Sequence, residues 1–194
     1  DVLEQADAAV YEAKSKGGDS CVVPDADVRE RLERRVSIHR ELISAIDKGE
    51  ISLHYQPIVR VSDCRLVGVE ALARWSHPKY GPISPSEFIE IAEASRHIIA
   101  FGQFVQRQAC EDVMGWMSRT GEEIRLSVNV SPNELLSHGF AESVAEMLGV
   151  TGFPPSLLEL EITERGVLKN IEASCEVIET IREMGVTIAL DDFG

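Results

Sequence analysis

Glu70 and Arg74 close an apolar run, Leu66-Val67-Gly68-Val69-Glu70-Ala71-Leu72-Ala73-Arg74-Trp75. Read as a strand, its period of two puts Glu70, Leu72 and Arg74 on one side and Val67, Val69 and Ala71 on the other. An acid and a base then share one face. Three later apolar runs end similarly: Leu126-Ser127-Val128 in Asn129, Leu158-Glu159-Leu160 in Glu161, and Val186-Thr187-Ile188-Ala189-Leu190 in Asp191-Asp192. In a parallel sheet or barrel, carboxyl-terminal strand ends gather on one face, where ligands bind. Carboxylates crowded there repel one another and take up protons unless a cation sits among them. Hard oxygen donors of this kind suit magnesium or manganese, and the lack of Cys or His among them argues against zinc. One acidic strand end is ordinarily a solvated loop start; the recurrence at four runs is what points to a metal site.

The elements that must position these residues follow the chain. Leu3, Ala6, Val10 and Ala13 fall at helical spacing, and Gly17-Gly18 stops that helix. Residues 26–49 carry Val28, Leu32, Val36, Leu42, Ile43 and Ile46 among charges, predicting one long connecting helix or two broken near Ser37. From Ile51 the pattern turns to strands, and turn-prone Ser62-Asp63 makes a hairpin with the Glu70 run. Helices are predicted over Pro85 to Glu93, opened by Ser84-Pro85, over His97 to Met117, over Phe140 to Leu148, and over Ala173 to Met184. From Asn129 onward the acidic strand ends recur about every 30 residues, the size of one strand-helix unit. Alternation of this kind predicts an α/β fold, a TIM-type (β/α) barrel.

Composition narrows the function classes. The chain has 194 residues, a formal net charge of −14, and four scattered cysteines without a CxxC pair. The negative charge excludes a basic stripe for a nucleic-acid polymer or an anionic membrane. The cysteine spacing offers neither a zinc site nor a disulfide framework. No run reaches the roughly 20 apolar residues of a membrane helix, so no membrane contact is expected in this segment and a cytoplasmic location is the default. Asp192-Phe193-Gly194 is a DFG triplet, but no HRDxxxxN, VAIK or glycine-rich phosphate loop accompanies it, and GxxxxGK[ST] is absent.

Several motifs in fixed order carry a specific resemblance. Tyr55-Gln56-Pro57-Ile58, Glu70-Ala71-Leu72 with Arg74-Trp75, His77-Pro78, Pro85 with Glu87-Phe88-Ile89, Asn129-Val130-Ser131, Glu161-Ile162-Thr163-Glu164 and Asp191-Asp192-Phe193-Gly194 resemble the EAL domain. That family comprises cyclic di-GMP phosphodiesterases. Upstream, the pattern A-D-x-A-x-Y-x-A-K-x-x-G in residues 1–25 resembles the C-terminal end of a GGDEF domain, the cyclic di-GMP synthase family. Gly18 stands where that family has a second nucleotide-holding arginine after the lysine matching Lys14, which argues against an active cyclase upstream. The division expected is a GGDEF remnant (1–25), a helical linker with the first EAL helix (26–49), and the N-terminal part of an EAL domain (50–194).

The EAL resemblance implies metal-dependent hydrolysis of cyclic di-GMP to linear pGpG, with two Mg2+ or Mn2+ ions. It implies metal ligands at Glu70, Asn129, Glu161 and Asp191, with Asp192 serving the second cation. Arg74 is implied as a grip on phosphate, Gln56 and Leu72 as substrate contacts, and Glu164 as support for a mobile loop over the site. Arg165-Gly166 stand where a small polar residue is usual after that glutamate. The fold implied is a barrel whose first strand runs against the others. Eight units need roughly 250 residues, and the chain reaches about five strands, so the expectation is a fragment, inactive alone, whose later catalytic lysine, carboxylate and glutamine lie beyond residue 194. The longer parent is left free to be membrane-anchored elsewhere. Two alternatives stay open: a non-catalytic cyclic di-GMP receptor, or a regulatory domain making an EAL–EAL homodimer.

Overall fold

Side-chain alternation in the apolar runs becomes a single sheet in which one face is covered by helices and the other presents the polar residues. In the computed structural model, residues 26–163, 167–168 and 170–191 are described. Residues 1–25, with the GGDEF-like pattern, and Glu164 and Asp192 lie outside the described residues. The chain divides into two compact units, residues 1–42 and 43–194. The described part of the first belongs to α1 (Ala26–Asp47), a helix that runs unbroken through Ser37. There the Ser37 hydroxyl donates to Glu41 one turn on, at 2.5 Å, so the side chain that competes for backbone bonds is occupied along the helix surface.

The second unit holds the sheet. β1 (Ile51–Val59) pairs antiparallel with β2 (Leu66–His77), which also pairs antiparallel with the short β3 (Gly81–Ile83). Helices α2 (Pro85–Ala94) and α3 (Ile98–Thr120) lead to β4 (Arg125–Val130). A four-residue α4 (Pro132–Leu135), α5 (Phe140–Thr151) and a single 3-10 turn (Pro155–Leu157) lead to β5 (Leu158–Thr163). After α6 (Ile171–Glu183) comes β6 (Thr187–Asp191). The strand order is β1-β2-β4-β5-β6, with β2-β4, β4-β5 and β5-β6 all parallel. This is the strand-helix winding of a (β/α) barrel with its first strand reversed, as expected. The short β3 and α4 have no periodic signal of their own and were not anticipated.

The helix-covered face is apolar because alternate residues of β2, β4 and β5 point into it. Val69, Ala71 and Trp75 of β2, Leu126, Val128 and Val130 of β4, and Leu158, Leu160 and Ile162 of β5 are all buried. Trp75 packs edge-on to Phe88 of α2, and Phe88 in turn to Phe101 of α3, with ring centroids 6.0 and 5.6 Å apart. Its indole N–H donates to Glu50 at 3.2 Å, which satisfies the one polar atom this large side chain buries. Tyr55 of β1 reaches α3 likewise: its hydroxyl donates to Asp112 at 2.6 Å and its ring stands edge-on to Trp116. Burial and that carboxylate together push the phenol far above its ordinary range.

Gly68 marks a close approach of β2 to β4. A Cβ there would stand 2.9 Å from Cβ and 3.0 Å from the carbonyl oxygen of its ladder partner Arg125. The backbone oxygen cannot retreat without opening the parallel pairing. Gly68→Ala is therefore expected to lower stability by about 1–3 kcal/mol, read as a fall in the urea midpoint with an unchanged m-value. An unchanged midpoint would show that the two strands have slack at this register.

Candidate functional site

Pairing register decides which polar residues meet. On the face away from the helices, Gln56 of β1 sits opposite Glu70 of β2, and Glu70 opposite Ser127 of β4. Asn129 sits opposite Glu161 of β5, and Ser127 opposite Glu159. Ala189 of β6 lies beside Glu161, and Asp191 beside Thr163. Period-two alternation places Glu70, Leu72 and Arg74, Ser127 and Asn129, Glu159 and Glu161, and Asp191 on one face. The structure thus brings the five described oxygen and amide positions, Gln56, Glu70, Asn129, Glu161 and Asp191, to one side of the sheet.

Glu70 differs in place from the sequence expectation. It lies in the middle of β2 rather than at its carboxyl end. The parallel ladder with β4 stops at Ala71, and β2 continues only because β1 and β3 pair with it antiparallel. Glu70 is therefore next to the end of the parallel portion, although not of the strand. Asn129, Glu161 and Asp191 occupy the last residues of β4, the later half of β5 and the end of β6.

Three strands join directly through side chains at the centre. The Asn129 amide nitrogen donates to Glu70 Oε1 at 2.8 Å, and the Ser127 hydroxyl donates to Glu159 at 3.0 Å. Burial pushes the Glu161 carboxyl above its ordinary pKa, the charge of Glu70 pushes it further, Ser127 opposes, and Glu159 and Asp191 add to the rise. Crowded like charges and few balancing cations are the electrostatic condition that a bound cation relieves. The donors are hard oxygens, with Asn129 able to offer its amide oxygen once the amide turns over, so the chemistry fits magnesium or manganese. Among the described residues no three acidic, cysteine or histidine side chains close into a metal-holding group. The donor set as read from the sequence counts an amide and Asp192, the latter outside the described residues.

Arg74 and Leu72 line a cavity of about 280 Å3 that also takes in Asn129, Thr163, Glu134 and an apolar wall from α2 and α3. The Arg74 guanidinium donates to the Ala73 carbonyl at 2.8 Å and, among the described residues, makes no ion pair. Its charge is directed by the backbone and remains available for an anion. A second hollow, between α3 and α5, is lined by Gln103, Arg107 and Glu146 and contains none of the strand-end residues.

Glu134 is the residue that sequence reading missed. It forms a capping box on α4: its backbone N–H donates to the Ser131 hydroxyl, while the Ser131 N–H donates to Glu134 Oε2, both at 3.2 Å. Its other oxygen accepts from Gln106 of α3 at 3.3 Å. Ser131-Pro132-Asn133-Glu134 is a legible S-x-x-E signal; nothing in the spacing announces that its carboxyl is buried. Burial raises the Glu134 pKa to about 8 against the opposing Ser131 bonds, with a smaller contribution from Glu93. A protonated carboxyl keeps the pairing with Gln106 once that amide turns over and presents its oxygen as acceptor. Elsewhere, Cys110 is buried with its thiol pushed up to about 12, and Cys64 and Cys175 are exposed and free.

One face of the sheet gathers acids, an amide and an arginine into an oxygen-donor site, and the chain belongs to the EAL domain family, which residues 39–194 match. An uncharacterised signalling protein of Caulobacter vibrioides is 37% identical over 193 residues, covering all of this chain and 23% of that protein. MucR of Pseudomonas aeruginosa, a bifunctional diguanylate cyclase and cyclic di-GMP phosphodiesterase, is 32% identical over 194 residues, covering all of this chain and 28% of MucR. The solved PaMucR phosphodiesterase in complex with c-di-GMP superposes with a TM-score of 0.77 at 34% identity, over 81% of this chain and 64% of that one. The chain spans about a quarter of the length of these two relatives.

The buried carboxyl has a consequence for stability against pH. Between the unfolded value of 4.5 and the folded value of about 8, the folded state keeps a proton that the unfolded state releases. Glu134 therefore contributes most below pH 4.5, and its contribution is lost as pH rises through about 8. Urea midpoints at pH 5 and pH 8 should fall more steeply in the wild type than in Glu134→Gln. Equal slopes would mean that Glu134 ionises normally in the fold.

Proposed function

We propose that this chain is part of a signalling protein whose EAL domain hydrolyses cyclic di-GMP to linear pGpG. The observation that carries the reading is the Glu70–Asn129 contact, with Glu161 opposite Asn129 and Arg74 in the adjoining cavity. It stands in a member of a family that includes a named phosphodiesterase. On this reading Glu70, Asn129, Glu161, Asp191 and Asp192 hold two Mg2+ or Mn2+ ions. Bound divalent cations at such a site lower the pKa of a water and neutralise charge on an in-line phosphodiester displacement.

The chain's own residues do the rest. Arg74 presents parallel N–H donors to a phosphate oxygen pair. Gln56, beside Glu70, offers a donor and an acceptor to a guanine or ribose edge. Leu72 closes the cavity wall against the sugar or base, and Glu164 supports the loop after β5. Residues 1–25 are read as the end of a GGDEF domain, 26–49 as linker and first EAL helix, and 50–194 as EAL domain; the MucR match, which extends over all of this chain, supports that division. A cytoplasmic setting and an EAL–EAL homodimer complete the proposal.

The test is turnover in the protein that carries this chain, with Mg2+ or Mn2+, product identified as linear pGpG. Tight binding of cyclic di-GMP without turnover would replace the enzyme by a receptor. Within the enzyme reading the two charged residues should fail differently. Glu70→Gln removes a charged cation ligand, so its loss of rate should shrink as Mn2+ is raised. Arg74→Ala removes a charge-assisted bond to phosphate, costing about 1.5–3 kcal/mol and appearing mainly in KM. Rescue of Arg74→Ala by Mn2+, with Glu70→Gln indifferent to it, would reverse the two roles.

A further inference from the structure

We propose that Glu134 is a positioning residue for Asn129, acting as a bolt between α3 and the chain that leaves β4. The inference rests on the reading of Asn129 as a cation ligand and goes beyond it by naming what aims that ligand. An N-terminal capping box ordinarily lies in solvent, where its glutamate costs nothing to place. Here Glu134 is only 4% exposed, so its carboxyl has been taken out of water at a cost that capping a four-residue helix does not require.

The space for it is made by Gly102. A Cβ at that position of α3 would fall 1.7 Å from Glu134 Oε1, so the carboxyl occupies the volume that any larger residue would fill. One turn on, Gln106 closes the seat with its 3.3 Å bond. The opposite oxygen holds the Ser131 N–H, which is two residues beyond Asn129. Val130 between them is buried. The Asn129 side chain itself is exposed, and it donates to Glu70 Oε1 at 2.8 Å. The ladder to β5 holds the backbone of Asn129 and Val130, and Glu134 fixes the next residue, Ser131, so the two together set the direction of the Asn129 side chain. A ligand displaced by even a fraction of an ångström binds its cation less well.

The experiment compares Mn2+ affinity without substrate, by the loss of the free Mn2+ electron paramagnetic resonance signal, with the Asn129 side-chain amide resonances of the metal-free protein. Variants are Glu134→Gln, Glu134→Ala, Gly102→Ala and, as a core control on α3, Val113→Ala. Glu134→Gln keeps an oxygen for Ser131 and, once the Gln106 amide turns over, a donor for Gln106, and should keep wild-type affinity and resonances. Glu134→Ala and Gly102→Ala should bind Mn2+ about 10-fold or more weakly and shift the Asn129 amide. Should Glu134→Ala not fold, Gly102→Ala carries the test, because alanine favours the helix it enters. Wild-type affinity in the folded Glu134→Ala or Gly102→Ala protein would overturn the proposal. So would an equal loss in Val113→Ala, which would make the effect one of general loosening. If the wild type bound no Mn2+, the phosphodiesterase reading would fail, and the resonances would still decide the bolt: a shift in Gly102→Ala absent from Glu134→Gln and Val113→Ala supports it, and no shift refutes it.

Discussion

Like-charge crowding on the open face of the sheet is the constraint from which the rest of this structure follows. Glu70, Glu159, Glu161 and Asp191 come from three strands and stand together because parallel register and period-two alternation leave them nowhere else to go. Shifting any of these strands by one residue would exchange its acids with Val, Leu or Ile and bury charge under the helices. The apolar alternates, Leu126, Val128, Leu158 and Leu160, are each at most 1% exposed, and a slip that exposed them would forfeit about 1.5–3 kcal/mol apiece. The hydrophobic face therefore enforces the electrostatic strain of the polar one.

Positive charge is scarce where that strain is greatest. Arg74 is half-buried beside the acids, is turned by the Ala73 carbonyl, and lines the cavity rather than the acidic row. Among the described residues two neutral donors reach into the row, Asn129 to Glu70 and Ser127 to Glu159. The site is thus divided into a strongly negative part suited to cations and an adjoining part suited to an anion. A phosphate diester bridging a cation and a guanidinium needs both, side by side.

Much of this was legible in the residues. Four apolar runs, each leading to an oxygen or amide side chain, predicted the strands and the face on which Glu70, Asn129, Glu161 and Asp191 lie, because alternation is a local property. The reversed first strand was implied by the resemblance and agreed with the hairpin read from turn-prone Ser62-Asp63. The pairing partners did not show: that Gln56 lies opposite Glu70, or that β2 runs on past the parallel ladder so that Glu70 is mid-strand, depends on the hairpin register and on β3, whose three residues carry no period. Glu134 was illegible for a different reason. Its capping motif is local, but its burial depends on Gly102, more than 30 residues earlier, on a helix whose packing no short pattern encodes.

Gly102 also bears on how the two faces of the sheet communicate. Strand ends are usually held by the strands themselves, yet β4 is only six residues long and is followed at once by the four-residue α4. The ladder to β5 ends at Val130 and such a short helix has little stability of its own, so the chain just beyond β4 needs an anchor outside it. The anchor is α3, whose Phe101, Val105, Ala109 and Val113 are buried in the core. Glu134 connects that core to the chain beside Asn129 through hydrogen bonds rather than apolar contact. Hydrogen bonds fix direction as well as distance, and direction is what a ligand-bearing side chain on an open face cannot obtain from packing.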